Sequence, residues 1–254
     1  MAPSSLMVNV GAGFTCIFVG FLVAWLTSRL TRMETKVASS FTFCSGIFNY
    51  GYFAFPVAIA LFGDEILSKF IVFNLGVEIA IWTVGIFFLS SSGFRISRLF
   101  NPPALSILLA LLVRNLGGDA IVPGFLWEVV EMLGLCSIPV GLLLIGGSIS
   151  DLTKDFRFSE GYKIEISSIL VRLIVVPALM VLYALLGPIP EDMPWLRQVL
   201  VVQSAMPAGI FALVVVRIYE GDRATAMRAI MASMLGCLFT LPLWLVLGRH
   251  LFGF

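Results

Sequence analysis

The sequence predicts an all-α polytopic membrane protein with an inverted-repeat transporter fold, built around two crossing broken helices. Three observations predict it. Of 254 residues, 59% are hydrophobic and 12% charged, about half the charge of a soluble domain, and mean hydropathy is +1.04. Apolar stretches of membrane-crossing length recur along the whole chain. Two of them carry a mid-span proline beside an amide, in spans of opposite direction.

The stretches fall at 8–30, 37–62, 66–89, 103–117, 124–149, 164–187, 194–217 and 225–248. The first lacks a basic start, its apolar run is long and its positive charges follow it, so it is not a signal peptide. The fourth is short, opened by Pro102-Pro103 and closed by Gly117-Gly118. With eight spans the connections alternate between two sides. One side gathers Arg29, Arg32, Lys36, Arg95, Arg98, Lys154, Arg157, Lys163, Arg217, Arg223 and Arg228; the other gathers only Lys69, Arg114, Arg197 and Arg249. Basic residues mark the cytoplasmic side, so both termini are expected outside.

Composition excludes several classes. A net charge of +1 offers nothing to a nucleic acid. Cys16, Cys44, Cys136 and Cys237 lie in apolar stretches without CxxC spacing, and His250 stands alone, so neither a metal nor any other bound cofactor is expected. There is no nucleotide-binding GxxxxGK[ST] and no GxSxG. The aspartates all lie in or beside connections, which argues against an intramembrane protease.

The second and seventh spans carry Pro56 and Pro207 near their middles. A mid-helix proline frees backbone groups, and in hydrocarbon those need protein, water or ligand. Each proline follows an amide, Asn49 or Gln203, and has glycines nearby: Gly46 and Gly51, or Gly209. Each span precedes an acidic-glycine connection, GDE at 63–65 and EGD at 220–222, and then one more span. Five spans apart, the two run in contrary directions, as in an inverted repeat whose discontinuous helices form a substrate site at mid-membrane. The plainer alternative is a pair of ordinary kinks, the reading given to Pro177 and Pro242. Pro139, with Ser137 before it and Gly141, Gly146 and Gly147 after it, is a further candidate for lining the site. Ser204 is expected beside Gln203 at the site, and Ser45 on the face of Asn49.

Glu78 lies mid-way along the third span, with Asn74 one turn earlier on the same face. A carboxylate at that depth costs at least about 2.5 kcal/mol to insert and should face the bundle interior. It is either a coupling group for H+ or Na+ or a hydrogen-bonded structural acid. Arg172, in the sixth span, is expected to snorkel to the interface; the sharper alternative is that it attracts an anion.

FNYGYFAFPVAIALFGDE at 48–65, IPVGLLLIGGSISDL at 138–152, MPAGIFALVVVRIYEGD at 206–222 and LPLWLVL at 241–247 together resemble the auxin efflux carrier family, which includes PIN-type carriers and bacterial malonate or malate permeases. The resemblance implies two inverted five-span repeats, similar to sodium/proton antiporters and bile acid symporters, with the family's fourth and ninth spans crossing. The chain then reads as one membrane domain, 1–254, with a partial three-span repeat at 8–89 and a five-span repeat at 103–248. The family's first two spans have no counterpart, which leaves open a start upstream of Met1 or a reduced form.

The function implied is secondary transport of a small organic anion, by symport or uniport. The expected substrate-binding residues are Asn49, Tyr50, Pro56, Pro139, Gln203, Ser204, Pro207 and Gly209, with Glu78 and Asn74 for ion coupling. Where many bacterial members carry an Asn after the second proline, this chain has Phe211; with Tyr50, Tyr52 and Phe53 that favours an amphipathic or aromatic anion. The implied setting is a bacterial inner membrane, with a possible homodimer. The alternative is a non-transporting membrane sensor or a carrier fragment.

Overall fold

The computed structural model describes residues 3–89, 102–117, 122–155 and 161–254. Arg95, Arg98 and Arg157, which carry part of the orientation argument, lie outside the described residues. Helical segments fall on all eight apolar stretches. The chain begins with α1 (Pro3–Leu30), then α2 (Thr35–Gly46) and α3 (Ala54–Phe62). A short 3-10 turn (Asp64–Ile66) leads into α4 (Leu67–Ala80), which continues through a π-helical segment (Ile81–Gly85) into α5 (Ile86–Leu89). Next come α6 (Pro102–Asn115) and α7 (Gly124–Asp155). Then α8 (Lys163–Ile169), a second π-helical segment (Leu170–Val175) and α9 (Val176–Leu186) form one rod. The last elements are α10 (Trp195–Ala205), α11 (Phe211–Ile218) and α12 (Arg223–Phe252).

The stops and starts have local causes. Gly63 takes φ 76° to end α3, and Gly253 takes φ 73° to end α12; both angles are unfavourable for a side chain. Asp222 caps α12 by accepting from the Thr225 N–H at 2.6 Å. Pro177, in the first turn of α9, has no N–H for the Leu173 carbonyl one turn back. The indole N–H of Trp244 donates to that carbonyl instead, at 2.7 Å. A carbonyl left bare in hydrocarbon would cost several kcal/mol, so the tryptophan on α12 completes the kink in the sixth span.

Among the described residues, four rods are individually long and apolar enough to cross a membrane: Ser4–Leu30, Asp64–Leu89, Lys163–Leu186 and Arg223–Phe252. The second and seventh stretches are cut into pieces too short to do so alone. On α12, Leu235, Leu238, Phe239, Leu243 and Val246 are all at least 60% exposed and recur at helical spacing. An apolar face of that extent belongs against lipid tails. The protein is an all-α polytopic membrane protein.

Small residues set the packing of the opening helices. A Cβ on Gly13 would stand 2.1 Å from the Phe73 carbonyl oxygen, and one on Gly76 would stand 1.8 Å from that of Val10. The backbones of α1 and α4 therefore touch at both positions, as small residues allow where helices meet in a membrane.

Candidate functional site

The second stretch unwinds over residues 47–53, between α2 and α3, and the seventh over 206–210, between α10 and α11. The two unwound pieces meet. Phe48 and Ala208 form an antiparallel bridge, in which the Asn49 N–H donates to the Pro207 carbonyl at 2.8 Å and the Gly209 N–H to the Ile47 carbonyl at 3.0 Å. A Cβ at Gly209 would lie 3.1 Å from the Phe48 oxygen, so the glycine permits the approach. The Ala208 N–H donates to Ser233 Oγ on α12 at 3.0 Å. The crossing is therefore real, but the expectation that its prolines bare peptide groups for a guest needs correction: these groups largely satisfy each other.

The prolines are not equivalent. Pro207 lies inside its break. Met206 before it is extended, with φ −67° and ψ 147°, as a residue preceding proline prefers. Pro56 lies in the first turn of α3, where a missing N–H costs nothing. It starts the outgoing half-helix, and the interruption itself precedes it.

Around the bridge, side chains from three stretches interlock. Gln203 Nε2 donates to Asn74 Oδ1 at 3.0 Å and to the Tyr50 carbonyl at 3.4 Å. Asn74 Nδ2 donates to that same carbonyl at 3.0 Å. The Tyr50 hydroxyl donates to Glu78 Oε1 at 2.5 Å, and Trp82 Nε1 donates to Glu78 Oε2 at 2.9 Å. Glu78, Asn74, Asn49 and Gln203 are all under 5% exposed.

One wall of this network opens on a cavity of about 520 Å³. Phe48, Tyr50, Tyr52, Trp82 and Phe211 give it an aromatic lining, and Asn49 and Glu78 are polar groups in its wall. Asn49 Oδ1 accepts from the Phe53 N–H at 3.2 Å, whereas its Nδ2 has no partner among the described residues. Gly209 also lines this space. A second cavity, of about 380 Å³, shares Tyr50, Gly51 and Glu78 with the first and adds Asn74, Phe55 and Ile71.

Other candidates fall elsewhere. Gln203 belongs to the network, not to the wall of the larger cavity, and Pro207 is buried behind it. Ser204 is not among the residues lining this cavity, and its hydroxyl donates to the Val201 carbonyl at 3.2 Å. Ser45 meets Ser168 at 3.3 Å, not the face of Asn49. Pro56 lines a separate space of about 130 Å³ with Tyr52, Phe55 and Ser137. Pro139 sits inside the unbroken α7 and is exposed, so it does not extend the crossing.

Two residues count for more than the sequence suggested. Trp82 lies one turn beyond Glu78, a spacing that could have marked it. Arg172 does not snorkel; it is 0% exposed. Its Nη2 donates to the Ser204 carbonyl at 2.7 Å, and its guanidinium lies 5.2 Å from the centre of the Phe48 ring. Nε and Nη1 have no partner among the described residues. It lies in the second π-helical segment, a departure from regular helix that is frequent at functional sites.

A family model described as "Membrane transport protein" matches residues 91–245. An "Uncharacterized transporter MJ1031" of Methanocaldococcus jannaschii is 26% identical over 240 residues, covering 90% of this chain and 74% of its own. An "Uncharacterized transporter" of Methanothermobacter thermautotrophicus is 24% identical over 240 residues, covering 91% and 76% respectively. These likenesses point to transport and away from enzymatic chemistry.

Proposed function

Because the chain belongs to the membrane transport protein family, we propose that it is a secondary carrier moving a small organic anion by alternating access about the crossing of its two broken helices. The observation that carries this reading is the antiparallel contact of Phe48 with Ala208 beside a cavity into which Asn49 brings an unpaired amide. Discontinuous helices that meet deep in a membrane fold are the usual makings of a carrier's substrate site.

In this reading the substrate's carboxylate accepts from Asn49 Nδ2, and its body lies among Tyr50, Tyr52, Trp82 and Phe211. α11 begins at Phe211 in the cavity wall, and α3 begins at Ala54, two residues after the lining residue Tyr52; their positive ends favour an anion. Glu78 and Asn74 are the coupling candidates, for H+ or Na+. Glu78 stands in the wall of both cavities, so a proton on it could be exchanged with either. Spans two and seven belong to opposed repeats, and rocking of one group of helices against the other exposes the site to each side in turn. The setting is a plasma membrane, with both termini outside.

Flux into proteoliposomes tests the proposal. A panel of mono- and dicarboxylates is offered with and without a proton or sodium gradient. Saturable uptake of at least one carboxylate is expected, reduced by Asn49→Ala. If no carboxylate moves while an organic cation or neutral solute does, the anion reading fails.

A further inference from the structure

Arg172 is a fully buried cation without a counter-charge among the described residues. No carboxylate contacts it among the described residues, where the ion pair formed is Arg228 with Glu165. Its neighbours offset part of the burial cost. The Ser204 carbonyl lies in the last turn of α10, the negative end of that half-helix. The Phe48 ring receives the guanidinium on its face. Nε and Nη1 remain unpaired at zero exposure. A lone buried charge destabilises a fold, and an apolar or neutral side chain of similar size is often neutral or better.

Phe48 is among the residues that line the cavity, and its ring also carries Arg172. The described residues lining that cavity include one carboxylate, Glu78, and no lysine, arginine or histidine. The only full charge in that described wall is therefore of the wrong sign for an anion whenever Glu78 is ionised. A buried positive charge, Arg172, lies against Phe48, a residue of that wall, 5.2 Å from its ring centre. We propose that Arg172 sets the anion selectivity of the cavity, acting across Phe48 as the buried counter-charge of the substrate. It is a positioning charge that does not touch the substrate. This inference rests on the anion-carrier reading above. At such separations in a poorly polarisable interior, a unit charge moves anion affinity by about tenfold.

Purified protein in lipid nanodiscs tests this by titration with a matched pair, 3-phenylpropionate and 3-phenylpropanamide, read by tryptophan fluorescence and calorimetry. The two share a shape and differ in charge. Wild type should prefer the acid. Arg172→Gln keeps an N–H for the Ser204 carbonyl and removes the charge. It should bind the amide within about threefold of wild type and lose about tenfold on the acid, with thermal stability unchanged or raised. Arg172→Lys keeps the charge and should keep most of the preference; it also serves if the glutamine variant fails to fold. If Arg172→Gln weakens both probes alike, or retains the wild-type ratio, Arg172 is merely structural and the proposal falls. A wild type that does not prefer the acid overturns the anion-carrier reading itself, and the inference with it.

Discussion

Tyr50 and Glu78 are joined hydroxyl to carboxylate at 2.5 Å, which ties the unwound piece of the second span to the middle of the third. The same tyrosine's backbone carbonyl accepts from both Asn74 and Gln203. Main chain and side chain of one residue thus knit three spans together at the crossing.

Tyr50→Phe keeps the ring and removes the donor. Glu78 would retain the bond from Trp82 but lose the other, and a deeply buried acceptor left short costs about 1–3 kcal/mol. A lower melting temperature in nanodiscs is expected, together with a changed response of flux to a pH gradient. A melting curve that superimposes on wild type would show that the bond adds nothing to stability.

Asn49→Ala should abolish or reduce substrate binding at least tenfold while folded protein is still recovered. The loss has two sources that can be separated. Nδ2 is the free donor, and Oδ1 holds the Phe53 N–H, a local bond worth about 1 kcal/mol. Asn49→Asp retains the second function alone, so binding that survives in Asp but not in Ala would move the role of Asn49 from contact to positioning.

Glu78→Gln should make flux indifferent to a proton gradient if Glu78 carries the proton. The amide also presents an N–H towards Trp82 Nε1 or Tyr50, both of which are donors here. Some loss of stability is expected for that reason alone, so the decisive measurement is the ratio of fluxes with and without the gradient. A variant whose ratio matches wild type returns Glu78 to a structural role.

Gly76→Ala should lower the yield of monodisperse protein. Its Cβ would stand 1.8 Å from the Val10 carbonyl oxygen, a backbone atom that cannot swing aside. Forcing atoms into a close-packed contact costs about 1–3 kcal/mol or more. Fluorescence-detected size exclusion reads the effect directly, and an alanine variant eluting like wild type would mean that α1 can stand off without penalty. Gly51, with open space where its Cβ would go, is the matched control.

The helical stretches were legible because crossing hydrocarbon is a one-dimensional requirement, met by length and apolarity together. The final stretch was read at 225–248 and α12 runs Arg223–Phe252, with Asp222 and Gly253 closing its ends. That the second and seventh stretches break was also legible. Where the first of them breaks was not, because a proline excludes helix before itself and tolerates it after; Pro56 accordingly stands in the turn that follows. The absence of Ser204 from the cavity wall has a simpler reason. Successive residues on a helix point about 100° apart, so a neighbour of Gln203 in sequence faces elsewhere in space. The depth of Arg172 was hidden for a related reason: a π-helical segment shifts the register that sequence spacing assumes. Only the crossing itself, where Phe48 lines a cavity and its ring carries the guanidinium, shows what that arginine is near.

The touching backbones at Gly13 and Gly76 carry a mechanical meaning. Two rods in backbone contact at two places along their length leave no room for a side chain between them, so we expect the opening helix and the one bearing Glu78 to move as a single strut. Under the proposed alternating access, the movement would be taken up where the polymer is uncoiled, or between that strut and its remaining neighbours.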